Sequence, residues 1–276
     1  MIKTIASREN PAFKAWKKLA QSGRACKKQR QTLLEGVHLV ASWHTAHGMP
    51  ACLLASEKGR ARAEIADWLA AGERQNARCV VLADALFAEL ADTETPGGLM
   101  AVVHLPPVEE APAVDVDSLL LDGVQDPGNL GSLLRTAAAA GFAQILLSAD
   151  CACAFSSKAL RAGQGAQFQL RIQEAANLAA FLAVFEGNTF AATLRDAESL
   201  YAVDLRQRPV AWVFGAEGQG VSPNVLAAAR QRVRISMPGA QSVESLNVGH
   251  AAAICLFETL RVRSQRSVKR VFSKYE

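Results

Sequence analysis

Three stretches of this chain set glycines and a few amide, hydroxyl, carboxylate or guanidinium side chains between short apolar runs. From Leu120 to Arg135 the sequence reads LLDGVQDPGNLGSLLR. A strand ends at Asp122, a Gly/Pro/Asn loop follows, and a helix is expected to begin near Asn129. Asn129 and Arg135 stand six residues apart and so on different helix faces, with Arg135 leaning back over the preceding turn. Open N–H groups at a helix start and a nearby arginine suit an anionic or hydroxyl-bearing ligand. A capped helix with a surface arginine would look the same in isolation.

The second stretch, Trp212 to Asn224 (WVFGAEGQGVSPN), places Gly215, Gly218 and Gly220 after a strand, where they allow close backbone approach or positive φ. Glu217 among them is suited to accept a hydrogen bond or face a cation, not to grip phosphate. Ser222-Pro223 restarts a helix, with Ser222 as its expected cap. The third stretch runs from Arg234 to Phe257 (RISMPGAQSVESLNVGHAAAICLF). Ser245 and Asn247 supply a hydroxyl and an amide; Met237, Val243 and Leu246 supply apolar surface. A connection that only joins two buried elements has no need of so many exposed donors and acceptors. Thr193-Leu194 ends a further strand expected along the same edge. The segment Ser156 to Ala166 offers Lys158 and Arg161, beside two glycines, either as cations for phosphates or as ordinary surface residues.

These groups need a scaffold, and the pattern around them supplies one. Runs 118–122, 144–148, 189–193, 210–214 and 232–236 read as strands with helices between, which implies a parallel sheet covered on both faces and ligands at the strands' carboxyl ends. The first hundred residues form a second α/β unit. A basic amphipathic helix is expected from Pro11 to about Ser22, strands at 32–34, 51–55, 78–82 and 98–103, and helices from 37, from 61 to 71 and from 84 to 90. The expected division is 1–104 as an N-terminal α/β domain, 105–115 as a Pro-rich acidic linker, 116–265 as a C-terminal α/β domain carrying the three stretches, and 266–276 as a basic tail.

With 276 residues, half of them hydrophobic, the chain has enough apolar sequence for two cores. Its net charge of +4 is mild, but cations crowd both ends, with Glu9 the one acid among nine basic residues in the first thirty. That distribution suits a polyanion partner. Six cysteines show no CxxC and no zinc spacing, so they are expected to be reduced thiols with no metal bound. The opening residues lack a signal-peptide pattern, and no apolar run approaches the ~20 residues a membrane span needs. A cytoplasmic protein is expected.

In order and spacing the three stretches resemble the motifs of the SpoU (TrmH) branch of the SPOUT RNA methyltransferases, over about residues 118 to 260. Residues 34–36 and 95–103 are similar to that family's substrate-binding domain, which resembles RNA-binding ribosomal proteins. The resemblance implies an α/β fold with a deep trefoil knot in the C-terminal parallel sheet, preceded by a smaller α/β RNA-binding domain. It implies S-adenosylmethionine as cofactor, lined by Gly215, Met237 and Leu246 with Thr193 and Asn247 nearby; Ile235 competes with Met237. Arg135 would act on a ribose 2′-hydroxyl, with Asn129, Glu217 and Ser245 completing the site. Because an arginine stays protonated, its expected work is orientation and stabilisation of developing alkoxide, with positioning providing most of the acceleration. The family's site is shared between subunits, so a homodimer is expected.

Relatives usually continue Ser-Leu-Asn-Val-Ser, whereas Gly249-His250 follows Val248 here. The leading expectation is an RNA 2′-O-ribose methyltransferase acting on ribosomal RNA. Transfer RNA is the alternative substrate, and a non-catalytic RNA-binding protein of the same fold the alternative class. A dinucleotide-dependent oxidoreductase ranks last, since no GxGxxG fingerprint is present.

Overall fold

The computed structural model describes residues 2–107, 111–239 and 244–272, with side chains to residue 264. The chain forms two compact units: Met1–Pro107 with Cys153–Gln169, and Val108–Ala152 with Leu170–Glu276. The excursion 153–169 has no counterpart in the division expected from sequence.

The first unit runs β1 (Lys3–Ile5), α1 (Pro11–Gln21), α2 (Gly23–Gln29), β2 (Gln31–Glu35), α3 (Val37–His47), β3 (Cys52–Ser56), α4 (Glu57–Arg60), α5 (Ala63–Arg74), β4 (Arg78–Leu82), α6 (Asp84–Leu90) and β5 (Leu99–His104). Its sheet has the order β1-β4-β3-β5-β2, with β5 antiparallel to both its neighbours. Alternate residues of each strand enter opposite cores. Leu33, Leu54, Val80 and Met100 join Phe13, Trp16 and Leu19 of α1 and Leu86, Phe87 and Leu90 of α6. Leu34, Leu53, Cys79 and Ala101 join Val40 and Trp43 of α3 and Ile65 and Leu69 of α5. Leu160 and Phe168 complete this second core. That burial explains why residues 153–169 leave the unit that precedes and follows them in sequence.

The second unit contains β6 (Ser118–Asp122), α7 (Pro127–Ala139), β7 (Gln144–Leu147), then, after α8 (Ser157–Gly163) of the excursion, β8 (Arg171–Gln173), α9 (Leu178–Val184), β9 (Asn188–Ala192), β10 (Glu198–Ser199), β11 (Val210–Gly215), α10 (Pro223–Ala228), β12 (Gln231–Arg234) and α11 (Val248–Phe272). All seven strands are parallel, in the order β10-β12-β9-β11-β6-β7-β8. The continuous burial of the central strands β6, β7 and β11 fits a sheet covered on both faces. The chain order turns at the β6–β11 pair, where open α/β sheets take their ligands.

Several boundaries differ from the sequence reading. Helix α7 begins at Pro127, capped by Asp126, rather than near Asn129. Strands β1, β8 and β10 and helix α2 have no expected counterpart. The expected linker is partly built into the second unit, since Gln144 bonds both the N–H and the C=O of Ala113 and Val114 packs on the core; Val108 to Glu110 lie outside the described residues. Helix α11 continues to Phe272, so the expected tail from 266 is helical for most of its length, and its last four residues are not described.

At the opposite sheet edge from the three loops, α11 is locked in place. Arg263 donates to Asp117 Oδ2 at 2.6 Å and Oδ1 at 3.2 Å, and to the carbonyls of Leu205 and Gln207. Trp212 Nε1 donates to Thr259 Oγ1 at 3.0 Å. Arg261 pairs with Glu258 one turn back. Two of the basic residues credited to a polyanion-binding terminus are therefore occupied within the unit.

Candidate active site

The register across the sheet brings the three loops together. Gly215, last in β11, lies opposite Asp122, last in β6. On the other side of β11, β9 ends one residue before Thr193, whose N–H donates to Val233 of β12 at 3.0 Å. Asp122, Gly215, Thr193 and the end of β12 thus form a row across four neighbouring strands, each about 4.8 Å from the next.

Each loop is fixed by its own short-range chemistry. Asp126 Oδ1 accepts from Asn129 N at 2.7 Å, so the opening of α7 presents a carboxylate and not a bare set of N–H donors. That corrects the expected affinity of this helix start for an anion. Ser148 Oγ accepts from Gly123 N, and Cys151 Sγ donates to Leu121 O, so residues just past β7 brace the same loop. Burial pushes the Cys151 thiol above its ordinary range, leaving it a neutral donor.

Gly215 is required by its own loop. A Cβ there would stand 2.0 Å from the carbonyl carbon of Gly220, because residues 216–220 fold back on the strand end through an Ala216–Gly220 bridge. Gly220 itself has φ +70°. Asp122 Oδ2 then accepts from Ser222 N at 2.8 Å and anchors the start of α10. Ser222 stands at the N-cap position, but its hydroxyl donates to Asn224 Oδ1 and makes no cap bond. The buried carboxylate of Asp122 does the anchoring expected of Ser222.

At the mouth of these loops, three side chains from the three stretches meet. Asn129 Nδ2 donates to Glu217 Oε1 at 2.5 Å, and Asn247 Nδ2 donates to the same oxygen at 3.0 Å. Asn247 Nδ2 also reaches Asn129 Oδ1 at 3.2 Å. Asn247 Oδ1 accepts from Gly249 N at 2.9 Å, which caps α11 and leaves the amide nitrogen for the cluster. One carboxylate therefore holds the first turn of α7, the β11–α10 loop and the start of α11 in one arrangement. Charge-assisted bonds of this kind are stronger than neutral ones.

The other expected site residues are placed less tightly. Arg135 is exposed on α7, without a hydrogen bond or ion pair among the described residues; two turns from Asn129, it does not join the amide–carboxylate cluster. Ser245 is exposed, Thr193, Ile235 and Met237 are half-buried, and Leu246 keeps 37% of its surface open to solvent. Val243 lies outside the described residues. His250 is exposed in the first turn of α11. Lys158 and Arg161 belong to the excursion that joins the first unit, and Arg161 pairs with Asp92 at 2.8 Å. Sequence reasoning missed Asp126 and Ser148; their signals were an acid just before a proline-led helix and a small hydroxyl at a strand end.

A glycine loop carrying a carboxylate, beside half-exposed apolar side chains and strand-end backbone groups, does not fit a pyrophosphate, which takes a lysine there. It fits a nucleoside with an apolar stem and a positive centre. Among the described residues no group of three or more metal-ligating side chains occurs, and no helix is long and apolar enough to cross a membrane.

Residues 118–257 match the model of the SpoU rRNA Methylase family. The chain belongs to that family. Residues 10–101 match the MRM3-like substrate binding domain. Among SpoU-family relatives, the chain is 36% identical to an uncharacterized tRNA/rRNA methyltransferase of Synechocystis, over 94% of each chain. It is 32% identical to the 23S rRNA (guanosine(2553)-2′-O)-methyltransferase RlmP of Bacillus subtilis, covering 93% of this chain and 98% of that one. Its fold matches the AdoMet-bound rRNA methyltransferase of Sinorhizobium meliloti with a TM-score of 0.80 and 24% identity, over 94% and 98% of the two chains.

Proposed function

We propose that this SpoU-family chain transfers a methyl group from S-adenosylmethionine to a ribose 2′-hydroxyl of ribosomal RNA, acting in the cytoplasm as a homodimer with a trefoil-knotted catalytic unit. The observation that carries the reading is the Asn129–Glu217–Asn247 cluster, which draws together the three stretches that define the resemblance. When bound, the cofactor supplies an electrophilic methyl group that needs no covalent help from the protein. Gly215, Thr193, Met237 and Leu246 would hold it at the strand ends. Ile235, beside Met237, is the competing contact.

The protein's share of the work is placement. Arg135 is assigned to the nucleotide, where its planar donors hold a phosphate, orient the 2′-hydroxyl and stabilise charge developing on that oxygen. Glu217 and Asn129 keep α7 at a set distance from the cofactor loops, and Ser245 adds a hydroxyl at the mouth. Since Arg135 has no partner among the described residues of its own protomer, its position suits a site completed by a second copy. The outer face of α11 supports that assembly: Ile254, Phe257 and Leu260, at successive turns, remain 36%, 45% and 38% exposed. Lys158 is assigned to RNA contact, and Arg161 joins it once its pairing with Asp92 is exchanged for phosphate.

The deciding experiment incubates the full chain with labelled S-adenosylmethionine and either ribosomal or transfer RNA, then maps nuclease-resistant ribose methylation. Transfer to ribosomal RNA is expected; methylation of bases only, or of no RNA, overturns the reading. In the same assay Arg135→Ala should lower transfer at least about a thousandfold while cofactor affinity by calorimetry stays near wild type.

A further inference from the structure

The β9–β11 connection carries side chains that the proposed methyl-transfer site does not use. Tyr201 is 64% exposed and Leu194 is 50% exposed. A single exposed aromatic residue needs no explanation, but this one is presented by a fixed support. Leu200 beside it is fully buried, and its N–H donates to Arg234 O at 2.8 Å. Ala202 N closes a turn onto Ser199 O at 2.9 Å, and Ser199 Oγ meets Ser236 Oγ at 3.3 Å. The turn is thus fastened to the β12 end, one residue before Met237, and Tyr201 is held outward from it.

Two exposed arginines share this edge. Arg234 ends β12, which lies between β10 and β9, and Arg195 follows the end of β9 by three residues. Neither guanidinium has a hydrogen bond or ion pair among the described residues, while Arg230 and Arg263 of the same unit are fully engaged. Asp196 and Glu198, also on this connection, are exposed and make no ion pair among the described residues. An exposed aromatic ring on the same row of strand ends as two guanidinium groups is the chemistry that takes an unstacked base together with its phosphates.

We infer that Tyr201, with Arg195 and Arg234, forms a subsite for a single-stranded RNA nucleotide flanking the one that is methylated. Its base stacks on the Tyr201 ring, and the two arginines meet the adjoining phosphates. The inference deepens the RNA-methylating reading above and rests on it for the position of the neighbouring nucleotide. It accounts for an aromatic residue held in solvent at the strand ends beside the cofactor loops.

The test uses the full chain and transcribed ribosomal RNA. Tyr201→Ala should raise the KM for RNA about tenfold, the scale of one base–aromatic stack, with S-adenosylmethionine affinity by calorimetry unchanged. Tyr201→Trp should restore the KM and Tyr201→Leu should not, because stacking needs a π face and not merely apolar area. Arg234→Gln should reduce the salt dependence of RNA binding by about one phosphate contact. Wild-type KM in Tyr201→Ala, or equal rescue by Leu and Trp, overturns the subsite. If the wild-type chain methylates no RNA, the catalytic reading fails, while filter binding of the same RNA to wild type and Tyr201→Ala still decides the surface: equal affinities refute it.

Discussion

Glu217 Oε1 accepts the Asn247 side-chain amide at 3.0 Å although thirty residues of chain separate the two. The same oxygen accepts Asn129. Two amide donors converging on one carboxylate oxygen set the spacing between the start of α11 and the first turn of α7. This spacing positions the groups assigned to cofactor and nucleotide.

Replacing Glu217 by Gln keeps the shape and an oxygen to face both amide donors, but removes the charge that strengthens the two bonds. Methyl transfer should fall about ten- to a hundredfold, about 1.4–2.8 kcal/mol of transition-state stabilisation. Because the cluster is exposed, the melting temperature should hardly change. Steady-state kinetics and thermal unfolding on one preparation check both; an unchanged kcat would remove Glu217 from the proposed machinery.

Gly215→Ala tests whether the glycine serves its own loop. The new Cβ would meet the Gly220 backbone, so residues 216–220 must shift, costing about 1–3 kcal/mol. Cofactor affinity should fall with it. Gly218→Ala is the control, since a Cβ there meets nothing within 4 Å and should leave stability and binding nearly unchanged.

The Asp117–Arg263 pair has side-chain exposures of 15% and 9%. Asp117→Ala would strand the guanidinium and also the Val210 N–H that Asp117 Oδ1 accepts. Loss of about 3–5 kcal/mol is expected in denaturant unfolding. Arg261→Met removes a pair whose arginine is 55% exposed, and should cost no more than about 1 kcal/mol. Comparable losses in the two variants would count against a special role for the buried pair.

All six cysteines are buried and none is in a disulfide. Burial raises the Cys52 thiol to about 11 and Cys255 to about 12. Thiol titration at pH 8 should therefore find no fast-reacting cysteine in the folded chain and six after denaturation. Since these folded-state values lie above the unfolded ones, their contribution is full below the ordinary thiol range. It is lost as pH rises through about 9 to 12, which a pH series of unfolding curves would reveal. Rapid labelling of the native protein at pH 8 would contradict this burial.

Much of the architecture was legible because its signals are local. The run 210–214 is apolar throughout and 119–121 is all leucine, the mark of strands buried on both faces, and Asn10-Pro11 announces the start of α1 by cap and ring geometry. Strands of two or three residues, such as β10 and β8, show no periodicity to read. They exist because longer neighbours offer a free edge. Ser222 looked like a helix cap from its place before Pro223. The Asp122 carboxylate, a hundred residues earlier, takes the anchoring bond instead.

The sequence by itself determined the parallel α/β sheet, the family resemblance and the identity of the polar residues in three loops. Each of these depends on residue type and short-range spacing. Tertiary structure decided that Asn129, Glu217 and Asn247 share hydrogen bonds, that Arg135 stays apart from them, and that residues 153–169 bury Leu160 and Phe168 in the first unit. Those outcomes depend on strand order and on which core has room for a side chain, and neither is encoded within any short window of the chain.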